Sequence, residues 1–296
     1  MFKLKHLKGR TSVLMGPTNV GVYKINDYDC ILIDTCHFDK IGDSLLKTLK
    51  NNFLNPVAII NTHFHGDHIG ANKLIKKNFR SKIYAPTIED FFINNVDYYP
   101  LFVFSAKHFS FMNKFKDYAV SPDFPITPNQ EEIKIEDIVF KLMNLKGHTP
   151  NQKGIVTPDN VVFIGDSVVG EPVIDVMKFI YTFNLQDDFD TKERLIDSNY
   201  DLYIPSHGNV TKDITAVIQK NMDNIMRNMD FIRESLVEAK TMEELMVVVY
   251  NRYGYTQELV PYYVFKSCIM AYISYLEHKG EIEIVFKNHI PAYKVK

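Results

Sequence analysis

Four residues able to bind a metal ion lie within six positions of one another, directly after an apolar run. His63, His65, Asp67 and His68 follow residues 57–60, whose sequence VAII is typical of a buried strand. In an extended chain His63 and His65 point to the same side, because side chains alternate with a period of two. Asp67 and His68 fall on a glycine-containing turn, where the chain can bend back. Imidazole with some carboxylate suits Zn²⁺ or Fe, and two such ions about 3.5–4 Å apart activate water.

Three further polar residues come after other predicted strands. His148 shortly follows one strand pattern. Asp166 follows residues 161–164, and His207 follows the apolar run at 202–205. Ligands on loops after successive strands of a rigid scaffold can meet at one binuclear site. A single His-X-His pair is common and mostly carries no function, whereas three histidines and an aspartate in this order behind a β-run favour metal binding.

Strands and helices alternate through the first two thirds of the chain. Residues 40–54 carry apolar side chains near helical spacing. Short runs rich in Val, Ile, Tyr and Cys, bounded by turn residues, predict strands at 11–14, 19–25, 30–34, 57–60, 83–85, 133–135, 137–144, 154–157 and 161–164. The alternation predicts an α/β protein.

From residue 211 onward helical patterns dominate. One apolar stripe at intervals of three and four runs as far as residue 236. Two further helical patterns and a hairpin pattern follow, at 242–250, 262–278, 281–286 and 290–295. We therefore expect a catalytic domain at 1–212 and a mainly helical extension at 213–296.

Residues 91–124 form an aromatic-rich insertion that holds 11 of the 38 Phe and Tyr residues. So many rings must cover something, because burying each ring is worth roughly 1.5–3 kcal/mol. The insertion packs on itself, forms a lid over the metal site, or makes a dimer contact. We expect it to border the metal site, with Phe102 and Phe109 as candidate substrate contacts.

Composition excludes several classes of protein. A formal charge of −2 argues against a polyanion binder driven by bulk positive charge. The three cysteines are too few and too scattered for a disulfide framework or a four-thiolate zinc site. The N-terminus has no signal-peptide core, and no later stretch reaches the roughly 20 apolar residues of a membrane span. We expect a cytoplasmic protein with no membrane partner.

The polar residues described above, in their order, resemble the full ligand set of the metallo-β-lactamase superfamily: His63, His65, Asp67, His68, His148, Asp166 and His207. Residues 32–35, LIDT, resemble that family's turn after its first hairpin, although Cys36 stands where the family usually has Gly. The likeness covers roughly residues 10–210. It implies an αββα sandwich, with two sheets face to face, helices outside, and a metal site at one edge.

The resemblance also implies a role for each residue. His63, His65 and His148 would hold one metal, whereas Asp67, His68 and His207 would hold the other. Asp166 would bridge them, since a carboxylate can serve two cations and a neutral imidazole nitrogen only one. A bridging hydroxide would be the nucleophile, with Asp67 orienting it or carrying its proton to the leaving group. The cofactor would be two divalent ions, most simply Zn²⁺, with Fe or Mn as alternatives.

Within the family, the residues favour one branch. Common β-lactamases have Cys where this chain has Asp166, and flavodiiron oxygen reductases have Glu where it has His65. The remaining group is typified by glyoxalase II and lactonases, with persulfide dioxygenases as an iron-using alternative. We therefore expect a hydrolase of a small ester, thioester or lactone, with a homodimer left open.

The C-terminal unit resembles the winged-helix tail of lactamase-like endoribonucleases, which gives a second candidate function in RNA processing. Against this role, residues 240–296 contain seven Lys and Arg and six Glu, a net charge of only +1. We favour a packing cap or dimer element.

Overall fold

Two β-sheets stack on each other in the computed structural model, which describes residues 2–95, 98, 101, 118–254 and 258–296. Strands β1 to β4 of the first sheet pair antiparallel, and β4 to β7 pair parallel. The seven strands neighbour one another in chain order: β1 (Lys3–Lys8), β2 (Thr11–Met15), β3 (Val20–Lys24), β4 (Asp29–Ile33), β5 (Asn55–Ile60), β6 (Lys82–Pro86) and β7 (Phe124–Ile126).

The second sheet has five strands in the order β12-β11-β10-β9-β8. Its neighbours pair antiparallel, except that β11 and β12 are parallel. The strands are β8 (Glu132–Ile135), β9 (Ile138–Asn144), β10 (Lys153–Val156), β11 (Val161–Gly165) and β12 (Leu202–Pro205).

Strand β4 shows why the two sheets stack. Its side chains alternate between two apolar clusters, because successive residues of a strand face opposite sides. Ile31 and Ile33 pack between the sheets, against residues of the second sheet such as Phe140 and Phe163. Cys30 and Leu32 pack on the outer side, against helices. A strand buried on both faces must be apolar throughout.

Helices cover both outer faces. α1 (Asp39–Asn51) and α3 (Asn72–Phe79) pack on the first sheet. α6 (Leu185–Ile196) and the first half of α7 (Ile214–Ser235) pack on the second. Three shorter helices lie in the connections: α2 (Gly66–Ile69), α4 (Glu89–Asn94) and α5 (Val173–Val176). The predicted αββα sandwich is confirmed.

The C-terminal region is mainly helical, as predicted. After α7 come β13 (Lys240–Thr241), α8 (Met242–Tyr253), α9 (Leu259–His278), β14 (Ile282–Lys287) and β15 (Ile290–Val295), with the three strands in the order β13-β15-β14. α8 begins at a capping box: Glu244 N–H donates to the Thr241 hydroxyl, and the Glu244 carboxylate accepts from Thr241 N–H. The second half of α7 packs in this C-terminal core, so the helix joins both cores. A domain boundary at 212/213 stays a prediction.

We expected no stretch of the sequence to be long and apolar enough for a membrane span. By the criterion of length and composition, this prediction is wrong. Among the described residues, α9 is long and apolar enough to cross a membrane, with a mean hydropathy of 1.2 in its most apolar window. A helix that packs one face into a core passes the same test. α9 does so with Cys268, Ile269 and Tyr272, although only a third of the window is buried.

Candidate metal centre

The carboxyl ends of four strands meet at one edge of the sandwich and carry the predicted ligands. β9, β11 and β12 end on the same side, since β9 and β11 are both antiparallel to β10 and β12 is parallel to β11. β5 ends there too, because the Lys153 N–H donates to the Thr62 carbonyl oxygen at 3.0 Å across the two sheets. His63, His148, Asp166 and His207 lie on the loops after these strands.

All seven predicted residues converge at this edge. They form three overlapping groups in which the ligand atoms lie within 4.8 Å of one another. The groups are His63, His65 and His148; His63, His68 and Asp166; and Asp67, His68 and His207. The middle group shares one residue with each of the others, so the three groups form one continuous site.

Asp166 lies between the two outer groups. Its Oδ1 is 3.3 Å from Nε2 of His68, and its Oδ2 is 3.5 Å from Nε2 of both His148 and His207. The carboxylate therefore faces members of both groups at once. On the more open side, Oδ2 of Asp67 lies 3.1 Å from Nε2 of His207 and 3.7 Å from Nε2 of His68.

The side chains present fit a bound metal. Nε2 of His63 is buried and makes no hydrogen bond to the described part of the chain, and Nε2 of His68 and Oδ1 of Asp166 are buried facing each other at 3.3 Å without a well-formed hydrogen bond. Each such atom costs roughly 1–3 kcal/mol if it stays unsatisfied. Nitrogen and carboxylate donors aimed at one point are also the ligand chemistry of Zn²⁺ and Fe. Bound cations would satisfy all three atoms.

The charges of the site also call for cations. Burial lowers the pKa of His63, His65 and His148, that of His65 to about 3, so these imidazoles are neutral and offer lone pairs. Burial also disfavours charge on His207, but Asp166 outweighs it and raises the pKa of His207 to about 10. Without metal, the protonated imidazole of His207 offsets the negative charge of the buried carboxylates. A bound metal ion would displace the proton from this imidazole.

Three of the predicted histidine ligands have their Nδ1 atom next to a hydrogen-bond acceptor. The sequence analysis did not identify these acceptors. Nδ1 of His68 lies 2.9 Å from Oδ2 of Asp34, which also accepts from the Thr62 hydroxyl. Nδ1 of His207 lies 2.9 Å from the carbonyl oxygen of Pro17, and Nδ1 of His148 lies 3.1 Å from that of Tyr181. These contacts turn each Nε2 toward the metal site. Backbone carbonyls leave no signature in a sequence.

The loop that carries His148 lies directly on α6. Gly147 has a φ of +124°, and a Cβ there would lie 2.4 Å from Cα of Asp188. Only glycine allows this approach together with this backbone conformation. The glycine before His148 is therefore required by packing.

Glu89 lies beside the predicted metal ligands, and the sequence analysis did not single it out. It is fully buried and accepts hydrogen bonds from Phe64 N–H at 3.2 Å and from the Thr149 hydroxyl and Asn151 N–H at 2.9 Å each. It therefore ties the loop of His63 and His65 to the loop of His148. Burial raises the pKa of Glu89 to about 7, against the opposing effect of these hydrogen bonds. An isolated Glu after a strand gives no sequence signal.

The aromatic insertion and Cys36 were also singled out in the sequence. Phe102, Phe109 and most of the aromatic insertion lie outside the described residues. Of the described part, the Phe92 ring lies 4.8 Å from the ring of Phe64, the residue between His63 and His65 in the sequence. Cys36 is buried, and burial raises the pKa of its thiol, so it is not a reactive nucleophile at neutral pH.

The sequence profile of the metallo-beta-lactamase superfamily matches residues 14–207, more than half of the chain. The chain therefore belongs to the metallo-beta-lactamase superfamily, and the prediction of a metallohydrolase of this superfamily is confirmed at that level.

Solved structures show the same fold. A metallo-beta-lactamase family protein from Thermus thermophilus matches with a TM-score of 0.72 over 100% of this chain and 98% of its own, at 16% identity. A beta-lactamase domain protein from Burkholderia ambifaria matches with a TM-score of 0.75 over 99% and 94%, at 14% identity. The likeness includes the C-terminal region.

Two curated relatives carry names that specify an activity. The hydroxyacylglutathione hydrolase GloC of Haemophilus influenzae is 27% identical over 126 residues, which cover 42% of this chain and 56% of that protein. The hydroxyacylglutathione hydrolase of Wigglesworthia glossinidia brevipalpis is 26% identical over 143 residues, which cover 48% of this chain and 43% of that protein. The chain thus spans about half the length of these relatives.

Proposed function

We propose that this protein is a binuclear metallohydrolase that cleaves a small acyl substrate, with a thioester as the first choice and an ester or lactone as alternatives. The observation that carries the proposal is the position of Asp166, whose two carboxylate oxygens face His68 on one side and His148 and His207 on the other. A carboxylate placed between two histidine groups can serve two cations.

The residues that would hold each ion follow from the groups. His63, His65 and His148 would hold one ion, and Asp67, His68 and His207 would hold the other, with Asp166 shared between them. When bound, two divalent ions such as Zn²⁺ would acidify a water molecule toward neutral pH and polarise the carbonyl of the substrate. Fe and Mn remain alternatives, since the donor set suits them as well.

Asp67 has the position of a proton carrier. Its side chain is 35% exposed, whereas those of His68 and Asp166 are 0% and 12% exposed, so it stands on the open side of the site. The Thr18 hydroxyl lies 3.4 Å from Oδ2 of Asp67 and orients that carboxylate. The neighbouring His68 and His207 outweigh burial and hold the pKa of Asp67 well below its usual range, so Asp67 is ionised and its carboxylate can accept a hydrogen bond from a water molecule at the site.

The names of the curated relatives favour a thioester. Hydroxyacylglutathione is an acyl thioester, and both relatives are named as its hydrolases. Thioester, ester and lactone hydrolysis all need attack of an activated water on a carbonyl carbon. The site therefore suits all three, and the leaving group is what a substrate panel must distinguish.

The rival candidate is an RNA phosphodiesterase. It is motivated by the order of the C-terminal elements, in which a strand, two helices and a hairpin follow α7 as in a winged helix. Three apolar side chains of that hairpin, Ile284, Phe286 and Ile290, are more than half exposed. Its Lys287 pairs with Glu244 at 2.7 Å. Exposed apolar side chains and a lysine already paired with a carboxylate make this hairpin a weak surface for phosphate backbones.

The deciding experiment combines metal analysis with a substrate panel. Protein grown with ample zinc, manganese or iron should hold about two ions per chain and hydrolyse a thioester faster than a phosphodiester. Fewer than about one ion per chain would contradict the metal site. One iron per chain with oxygen consumption on a persulfide would replace the hydrolase by a dioxygenase, and faster cleavage of phosphodiesters would favour the RNA candidate.

A further inference from the structure

The chain between Asp166 and α6 is mostly irregular, yet buried side chains of α7 hold its backbone. The Asn221 side chain makes two hydrogen bonds to Val169, accepting from its N–H at 2.9 Å and donating to its carbonyl at 2.8 Å. One turn further on, Asn224 donates to the carbonyl of Met177 at 2.8 Å. These asparagines lie on one face of α7 because they are three residues apart.

A third asparagine extends this row. Asn228 donates to the carbonyl of Lys178 at 3.0 Å and to the side-chain oxygen of Asn224 at 2.9 Å. The Tyr253 hydroxyl, at the end of α8, donates to the side-chain oxygen of Asn228. We call Asn221, Asn224 and Asn228 the asparagine row; their exposed fractions are 1%, 2% and 0%.

Helix α9 holds the next residues of the same segment. The Cys268 thiol donates to the carbonyl of Ile180 at 3.3 Å. The carbonyls of Met177, Lys178 and Ile180 thus all accept hydrogen bonds from side chains of the C-terminal helices, which fix the position of residues 177–181.

The other side of the segment contacts the metal centre. The Tyr181 carbonyl is the acceptor for Nδ1 of His148 at 3.1 Å, and the Tyr181 ring lies 5.4 Å from the His148 ring and 5.5 Å from the His65 ring. Directly after it, the Thr182 hydroxyl donates at 2.9 Å to the carbonyl of Gly147, which precedes His148. The same five residues thus touch the C-terminal helices on one side and two ligands on the other.

Packing alone would not require polar residues here. Asparagine is costly to bury, and apolar side chains would fill the same space on α7. Buried amides that are fully paired fix one backbone position instead of many, which is their use in a core. The asparagine row therefore sets where residues 177–181 lie, and with them the ring of His148.

We propose that the C-terminal helices are part of the metal centre, with Asn224, Asn228 and Tyr181 as positioning residues that aim His148 through residues 177–181. The proposal rests on the proposed function only in its assumption that His148 holds an ion. It predicts that the helices act on one ion, the one held with His63 and His65. Within the described residues, residues 177–181 make no hydrogen bond to Asp67 or His207; the His207 carbonyl instead accepts from Gly170 N–H at 2.8 Å, nearer the start of the segment.

The test compares Asn224→Ala and Asn228→Ala with Ile232→Ala as the matched control. Ile232 is fully buried on the same helix and in the same core, but it makes only apolar contacts there. Metal affinity is measured by competition with a chelator, ligand geometry by the visible spectrum of the Co²⁺ protein, and stability by the thermal midpoint. The asparagine variants should lose roughly 10-fold in affinity for one of the two ions. Excess metal should restore kcat.

The control should lower the thermal midpoint without changing either affinity or the Co²⁺ spectrum. An equal loss for both ions, or the same loss in Ile232→Ala, would overturn the proposal. If the asparagine variants fail to fold, Tyr253→Phe keeps the ring and removes the hydroxyl that donates to Asn228. It should weaken binding of the same ion by a smaller factor, and unchanged affinity there would overturn the proposal. Failure of acyl hydrolysis alone would count against the proposed substrate and leave these affinities as measured.

Discussion

The carboxylate of Asp34 lies 2.9 Å from Nδ1 of His68, and the side chains of both residues are almost fully buried, at 2% and 0% exposure. Asp34 directly follows β4 and has a φ of 60°, a left-handed conformation that few residues other than glycine adopt. The same carboxylate accepts from the N–H and the hydroxyl of Thr62, each at 2.8 Å. One buried charge thereby fixes both His68 and the start of the ligand loop.

We expect Asp34→Asn to weaken metal binding. The amide oxygen can still accept from His68 and from the Thr62 hydroxyl, but the amide nitrogen donates and cannot accept from the Thr62 N–H. The loss of charge also lowers the basicity of His68. Affinity should fall about 10–100-fold, as is typical of such supporting residues. Chelator competition measures this change, and Asn55→Ala, on the same sheet but away from the site, is the control. Unchanged affinity would show that Asp34 acts on folding alone.

Asp67→Asn should lose at least roughly 10²-fold in kcat with little change in the thermal midpoint. The reason is that Asp67 stands on the open side of the site and would handle the proton of the reaction, whereas its burial contributes little to the core. Turnover is measured at saturating metal, so that loss of ions does not mimic loss of proton transfer. Near-normal turnover on the true substrate would remove Asp67 from the mechanism.

Glu89 should make stability fall as the pH rises. Its pKa in the folded protein is raised to about 7 from 4.5, so between these values the folded state binds more protons than the unfolded state. Stability from this group is therefore full below about pH 4.5 and is lost as the pH passes 7, by an amount on the order of 3 kcal/mol.

The variant Glu89→Gln isolates this dependence, because glutamine resembles the protonated acid at every pH. Denaturant unfolding of both proteins, at equal metal content and between pH 5 and 8, gives the difference in the free energy of unfolding. That difference should shift in favour of Glu89→Gln as the pH rises. A difference that stays constant would mean that Glu89 is ionised throughout.

Phe102→Ala and Phe109→Ala test the aromatic insertion. If the insertion supplies an apolar wall for the substrate, KM for an acyl substrate should rise while metal content stays the same. If it forms a dimer contact instead, the mass in solution should change. Phe53→Ala is a suitable control, because that ring is 75% exposed on the outer face of the molecule.

The sequence alone was sufficient to predict the alternation of strands and helices and the part of the site formed by neighbouring residues. Both depend on residues close in the chain: period-two and three-to-four patterns reflect burial of one face, and His63, His65, Asp67 and His68 are brought together by a single turn. Two edge strands, β1 and β7, and the helices α3 and α6 were not predicted. In β1 the two leucines, Leu4 and Leu7, are three apart and face different cores across a bulge, which hides the period of two.

Only the tertiary structure decided which groups aim the ligands. Asp34, Glu89 and the carbonyls of Pro17 and Tyr181 reach their partners across 25 to 190 residues of chain, and their role depends on position and not on residue type. A carbonyl oxygen is present at every residue, so no pattern of side chains can mark the one that holds a histidine. Residue type and short-range pattern were thus enough to pick out the predicted ligands. Their orientation depends on how distant segments of the chain pack.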